Sequence, residues 1–142
     1  MKIIICPLFV IIFDQISKLW VVNNIDEWTS VNIIGEWFKF THVKNPGIAF
    51  GISVGSYSLI VALLSIVATF YIADLYWKER NNHPLVKNGL GLRLGGAIGN
   101  LIDRSYIFFV EHYEGVVDFI DIGTKEFRWY TFNVADSAVT IG

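Results

Sequence analysis

The sequence predicts a small α-helical membrane protein, because it is rich in apolar residues, poor in charged ones and contains several long hydrophobic segments. Its 142 residues are 54% hydrophobic and 17% charged, and the mean hydropathy is +0.50. Soluble domains carry about 25% charged residues. This length predicts one domain, residues 1–142. The aromatic content excludes disorder, the single cysteine excludes a disulfide scaffold, and the net charge of -2 argues against a nucleic-acid-binding protein.

Four segments are expected to cross the membrane, each as a helix. A span needs about 20 mostly apolar residues. Residues 3–22 and 57–77 meet that length, and residues 85–102 form a weaker third span that is rich in glycine. A fourth span begins near residue 130. Because the sequence ends at Gly142, we expect this fourth helix to be truncated.

Basic residues predict the orientation of these spans. Lys78, Arg80 and Lys87 lie in the short loop after the second span, and such residues concentrate on the cytoplasmic side. Both termini are therefore expected in the cytoplasm and both long loops outside. In the first of these loops, residues 37–43 (WFKFTHV) alternate as in a β-strand, with Phe38 and Phe40 on one face.

The polar residues of the spans gather at one depth, in the outer half of the bilayer. Ionisable residues inside spans are costly, and they indicate a functional site. Polar residues that lie three or four positions apart on one of these helices share a helix face. Glycines at positions 91, 95 and 99 form a stripe of small residues, which predicts close packing of another helix. The polar residues are Asp14 and Lys18 on the first span, Asn100, Asp103 and Arg104 on the third, and Asn133 and Asp136 on the fourth.

Two carboxylates have the surroundings expected of a catalytic pair. Asp14 has Lys18 on its own helix face and Asp103 has Arg104 beside it, which predicts structural ion pairs. Asp118 and Asp136 have apolar neighbours, which disfavour the charged form, so two such groups facing each other would share one proton as in aspartic proteases. The spacing alone leaves a structural or a proton-relay role open.

Other residues that could carry chemistry have weaker patterns. Asp121 precedes a turn that contains glycine, and we expect it to be exposed. His42, His83 and His112 fall on different loops, so solvated side chains are expected rather than a metal site.

Five motifs make the sequence resemble the lipoprotein signal peptidase (signal peptidase II) family of bacterial membrane aspartic proteases. They occur in the order found in that family and cover most of the chain. The motifs are DQISK at 14–18, NPGIAFG at 45–51, GGAIGNLIDR at 95–104, VVDFID at 116–121 and FNVADSAVTIG at 132–142.

The resemblance implies an endopeptidase of the bacterial inner membrane that uses no cofactor or metal. Such enzymes have four transmembrane helices and a small extracytoplasmic sheet. They cut the signal peptide of prolipoproteins just before a cysteine that carries diacylglyceryl, and globomycin-type peptides inhibit them. We expect a monomer whose partners are prolipoprotein and membrane lipid, with the active site near the outer leaflet. A proton carrier and an inactive scaffold are the alternatives.

The resemblance also assigns site residues. Asp118 and Asp136 match the catalytic aspartates of the family. Residues 105–114 are longer than is usual for the family, which predicts a surface helix, loop or lid. The positions that match residues binding substrate or shaping the site are Asp14, Lys18, Asn45, Gly47, Asn100, Asp103, Arg104 and Asn133.

Overall fold

The computed structural model describes residues 5–47, 58–81 and 83–142, and within them a helical unit carries a three-stranded sheet. The helices are α1 (Ile5–Asn24), α2 (Ser58–Lys78), α3 (Pro84–Ser105) and α4 (Val134–Ile141), and the strands are β1 (Ser30–Ile34), β2 (Phe38–Asn45) and β3 (Val116–Ile122). Residues 48–51 of the NPGIAFG motif lie outside the described residues.

Two helices of the described residues, α1 and α2, are long and apolar enough to cross a membrane. They coincide with the first two predicted spans. Most side chains of α2 are exposed, with only Ala62, Thr69 and Tyr76 buried, as expected for a helix surrounded by lipid. Helix α3 covers the third predicted span and has 22 residues, but its glycines and charged residues make it less apolar.

The last helix begins later than the sequence predicted. Residues 128 and 132 form isolated bridges with Gly123 and Ile120, so this stretch is extended beside β3 rather than helical. Asn133 then caps α4, which has eight residues. Its side chain accepts a hydrogen bond from the backbone N–H of Asp136, and the Asp136 side chain accepts one from the Asn133 N–H. This reciprocal capping box fixes where the helix starts.

Helix α3 is central, because it packs against α1, α2 and α4. Its glycines allow α1 to pack closely against it, as predicted from the stripe at positions 91, 95 and 99. A Cβ atom on Gly95 would lie 2.8 Å from the Pro7 carbonyl oxygen, and one on Gly99 would lie 2.6 Å from Asp14 Oδ2. Both distances are too short for a side chain, so larger residues would separate α3 from α1.

The sheet has antiparallel strands in the order β1-β2-β3 and lies where α1 and α3 end. The predicted strand at 37–43 is β2, whereas β1 was not predicted. Phe38 and Phe40 share one face, with ring centroids 5.5 Å apart, and Phe40 also contacts Phe119 of β3. Phe119 packs with Val21 in the buried core beneath the sheet. The long segment at 105–114 forms a 3-10 turn, Tyr106–Phe108, followed by a loop.

Candidate active site

Helix α1 contributes a buried ion pair to the site. Lys18 lies one turn after Asp14, and its Nζ is 2.7 Å from Asp14 Oδ2, as the i,i+4 spacing predicted. Asp14 is 0% exposed and Lys18 is 3% exposed. The other carboxylate oxygen of Asp14 accepts a hydrogen bond of 2.9 Å from the backbone N–H of Ala135, so the same aspartate also holds the first turn of α4.

Helix α3 places Asn100 and Asp103 around the same ammonium group. Lys18 Nζ donates to Asn100 Oδ1 at 3.0 Å and lies 2.8 Å from Asp103 Oδ2. The ionic partner of Asp103 is therefore Lys18 on another helix, and the predicted pairing with the adjacent Arg104 is wrong. Neighbouring residues on a helix point about 100° apart, so a residue one position on rarely reaches its neighbour.

The fully buried Asn133 connects two carboxylates. Its Nδ2 donates to Asp118 Oδ1 at 2.7 Å and to Asn100 Oδ1 at 3.0 Å. Its Oδ1 accepts from the Asp136 N–H at 2.9 Å, and its own N–H donates to Asp136 Oδ2 at 3.2 Å. The cap of α4 is thus also the bridge between Asp118 and Asp136.

Each of the two aspartates accepts a further amide hydrogen bond. Asn45 Nδ2 donates to Asp118 Oδ2 at 3.0 Å, and Asn100 Nδ2 donates to Asp136 Oδ1 at 2.8 Å. Gly47 helps to orient Asn45, because its buried N–H donates to Asn45 Oδ1 at 3.1 Å.

The surroundings of Asp118 favour its protonated form. The side chain lies on β3 and is 3% exposed. Burial first, and then the nearby charge of Asp136, raise the pKa of Asp118 to about 7, against smaller opposing effects of Asn45, Lys18 and Asn133. A carboxyl group with this pKa can hold or release a proton near neutral pH, which suits general acid–base chemistry.

Asp118 and Asp136 face a cavity of about 370 Å³ between α2, α3 and α4. Arg104 and Asn45 line it near the aspartates, so Arg104 belongs to this cavity rather than to the Asp103 ion pair. Side chains from α2 and α4 form its other walls. These wall residues include Ala68, Thr69, Ile72, Val139 and Thr140.

Two predictions of exposed polar side chains are wrong. Asp121 is 8% exposed, because Arg128 Nε lies 2.8 Å from its Oδ1 and the Thr41 hydroxyl donates to its Oδ2 at 2.7 Å. His42 lies on β2 and is 4% exposed, with Nδ1 2.8 Å from the Ile25 carbonyl oxygen. Neither side chain lines the cavity beside Asp118 and Asp136. Across the described ranges, no three His, Cys, Asp or Glu side chains gather as ligands of a metal ion would.

The sequence-based reasoning missed Gln15. Its side-chain amide lies within hydrogen-bonding distance of Asp14, Asp103 and the Gly99 carbonyl oxygen. The signal was present, because a glutamine inside an apolar span needs partners from another helix. Gln15 also lies within the DQISK motif, between the two predicted site residues Asp14 and Lys18.

The sequence and the fold both match proteins with known activity. The family model for signal peptidase (SPase) II matches residues 6–142. The lipoprotein signal peptidase of Chlorobium phaeobacteroides is 38% identical over 146 residues, which cover 97% of this chain and 88% of that protein. That of Moorella thermoacetica is 36% identical over 142 residues, which cover 100% and 87%.

A solved structure agrees with these relatives. A bacterial membrane enzyme determined by the in meso method at 2.3 Å resolution superposes with a TM-score of 0.82 and 28% sequence identity. The superposition covers 99% of this chain and 81% of that one. The helices with their small sheet therefore form the fold of a bacterial membrane enzyme.

Proposed function

The chain belongs to the signal peptidase II family, and on that premise we propose that Asp118 and Asp136 are its catalytic pair. The family consists of aspartic peptidases that remove signal peptides from prolipoproteins, and this is the reaction of the chain. One observation carries the proposal: Asn133 binds both carboxylates beside the cavity between α2, α3 and α4, Asp118 through its side-chain amide and Asp136 through its backbone N–H.

The two aspartates divide the acid and base roles between them. One ionised carboxylate removes a proton from a water molecule, which attacks the carbonyl carbon of the scissile bond. The other carboxyl group is protonated, polarises the carbonyl oxygen and later protonates the leaving amine. A raised pKa of about 7 suits Asp118 to hold the shared proton. Asn45, Asn100 and Asn133 donate to the carboxylates and fix the oxygens that remain acceptors.

The substrate is a prolipoprotein whose cysteine carries diacylglyceryl, and it is cut just before that cysteine. The cavity supports this choice, because its polar end holds Arg104, Asn45 and the aspartates, while Ala68, Ile72 and Val139 provide apolar contacts for a lipid-linked peptide. Globomycin-type peptides would compete for the same space.

The membrane arrangement follows from the same assignment. The chain is a single peptidase domain, a monomer in lipid, whose helices α1, α2 and α3 cross the bacterial inner membrane and whose short helix α4 enters it. Helices α1 and α2 meet the length and composition of a span. The N-terminus and the loop after α2 lie in the cytoplasm, and the site lies near the outer leaflet. The basic residues after α2 support this orientation.

The test is cleavage of a diacylglyceryl-modified prolipoprotein by the purified protein in liposomes. Asp118→Asn and Asp136→Asn are each expected to abolish cleavage, because the amide keeps the shape but cannot exchange a proton. Asp121→Asn is the matched control, since Asp121 pairs with Arg128 away from the cavity. Retained cleavage in either dyad variant would move the chemistry to another residue. No cleavage by the wild type would favour a proton carrier or an inactive scaffold.

A further inference from the structure

Gln15 connects three acceptors that belong to two different helices. Its Nε2 lies 3.2 Å from Asp14 Oδ2, 3.1 Å from Asp103 Oδ1 and 3.1 Å from the Gly99 carbonyl oxygen. All three neighbours can only accept hydrogen bonds while the aspartates are ionised, so the amide nitrogen and not the amide oxygen must face them. Gln15 therefore donates its two hydrogens to the α1–α3 contact.

The Gln15 amide lies beside two carboxylates that have one ammonium group between them. The carboxylates of Asp14 and Asp103 share the single ammonium group of Lys18, at 2.7 Å and 2.8 Å. The Asp14 and Asp103 side chains are 0% and 11% exposed, so water contributes few hydrogen bonds to either carboxylate. A buried carboxylate without enough donors is costly. Among the residues that the structure describes, the amide of Gln15 is the neutral donor that contacts both carboxylates.

We propose that Gln15 is a positioning residue of the peptidase site, an inference that rests on the proposed function. Its amide holds Asp14 and Asp103 around Lys18, so that the ammonium group points at Asn100 Oδ1, 3.0 Å away. Gln15 itself does not line the cavity that the catalytic pair faces.

The effect reaches the catalytic pair through Asn100. The Asn100 side chain can present its Nδ2 to Asp136 only while its Oδ1 is held on the opposite side by Lys18 and Asn133. Loss of the Gln15 donor loosens Lys18 and therefore the orientation of this amide. The consequence is a slower chemical step and not weaker substrate binding.

Charged groups surround Gln15 on two sides. Asp14 and Lys18 face it from α1, and Asp103 faces it from α3. Gln15 also lines a second cavity of about 360 Å³, between α1 and the loop that precedes β3. The titratable residues across that cavity are Lys44, Tyr106, His112, Tyr113 and Glu114.

The experiment compares Gln15→Met and Gln15→Glu in the liposome cleavage assay, with kcat and KM measured between pH 5.5 and pH 8. Methionine keeps the length and removes the donor, so we expect kcat to fall about tenfold at every pH, with KM within about twofold of wild type. Glutamic acid can donate one hydrogen bond and glutamate none. The kcat of Gln15→Glu relative to wild type is therefore expected to rise as pH falls.

Two controls make the result specific. Ile16→Met introduces the same side chain at the next position, which is 60% exposed, and is expected to match wild type. Unchanged kcat in Gln15→Met would overturn the inference, as would a Gln15→Glu ratio that does not vary with pH. A loss of kcat in Gln15→Met that disappears when the rate is divided by the concentration of folded protein would also overturn it. Failure of the proposed function has a different signature, namely cleavage that survives in Asp118→Asn.

Discussion

Replacement of Asp118 by asparagine is expected to remove a loss of stability that the folded protein shows as pH rises from 4 to 8, and to abolish cleavage. Burial and Asp136 raise the pKa of Asp118 to about 7 from an ordinary value of 3.8. The folded state therefore keeps a proton that the unfolded state has already released, and folding becomes less favourable as pH rises between these two values. Asparagine is neutral at every pH, so the variant lacks this pH dependence. Its Nδ2 would face the amide donor of Asn45 or Asn133, which lowers the stability of the variant by a similar amount at every pH.

The magnitude follows from the difference between the two pKa values. Each pH unit between them costs the wild type about 1.4 kcal/mol, so an interval of about three units costs about 4 kcal/mol at pH 8 compared with pH 4. The asparagine variant avoids this cost. For a domain of about 150 residues, about 1 kcal/mol corresponds to roughly 2–4 °C in Tm. We therefore expect the Tm of Asp118→Asn relative to wild type to rise by about 8 °C or more between pH 4 and pH 8.

The assay is thermal unfolding in one detergent, followed by tryptophan fluorescence at pH 5, 6, 7 and 8. Asp121→Asn serves as the control, since Asp121 is held by Arg128 and its replacement is expected to lower Tm at every pH. A Tm of Asp118→Asn that falls relative to wild type as pH rises would refute the reasoning. A stability difference that does not change with pH would refute it as well.

Three further substitutions test the hydrogen bonds of the site. Asn133→Asp keeps the helix cap but replaces the donor that lies 2.7 Å from Asp118 Oδ1, and it is expected to slow cleavage at neutral pH by about tenfold or more. Asn45→Leu removes a donor that lowers the pKa of Asp118, so the alkaline limb of the pH–rate profile should move upward by about half a unit. Gly99→Ala places a methyl group against Asp14 and is expected to cost about 1–3 kcal/mol, measured as a lower Tm together with slower cleavage.

The sequence correctly predicted contacts between residues that are close together in the chain, either one helical turn apart or on alternate positions of one strand. The Asp14–Lys18 pair is an i,i+4 pair on α1, and Phe38 and Phe40 alternate on β2. Their geometry depends only on local secondary structure. The first two helices were predicted for a similar reason, because lipid requires a continuous apolar run.

The incorrect predictions concern residues whose environment is made by distant parts of the chain. The sequence assigned Arg104 to Asp103 because the two are adjacent, whereas helix packing brings Lys18 to Asp103. Asp121 was expected to be exposed because a glycine follows, but Arg128 and the sheet bury it. Such contacts depend on how the helices and strands pack together, which neighbouring residues do not encode. The catalytic role of Asp118 and Asp136 remains a prediction for the cleavage assay.

The contacts of Asn133 make the proposed catalytic pair depend on the packing of α4. The Asn133 side chain caps α4 and binds Asp118, and its backbone N–H binds the Asp136 carboxylate, so this bridge forms only when the last helix of the described chain has docked. During biosynthesis, Asp118 emerges before α4 and has neither its bridge nor its partner carboxylate. Under the proposed mechanism, such a chain lacks the complete pair and is expected to cleave no prolipoprotein until α4 has packed against α3.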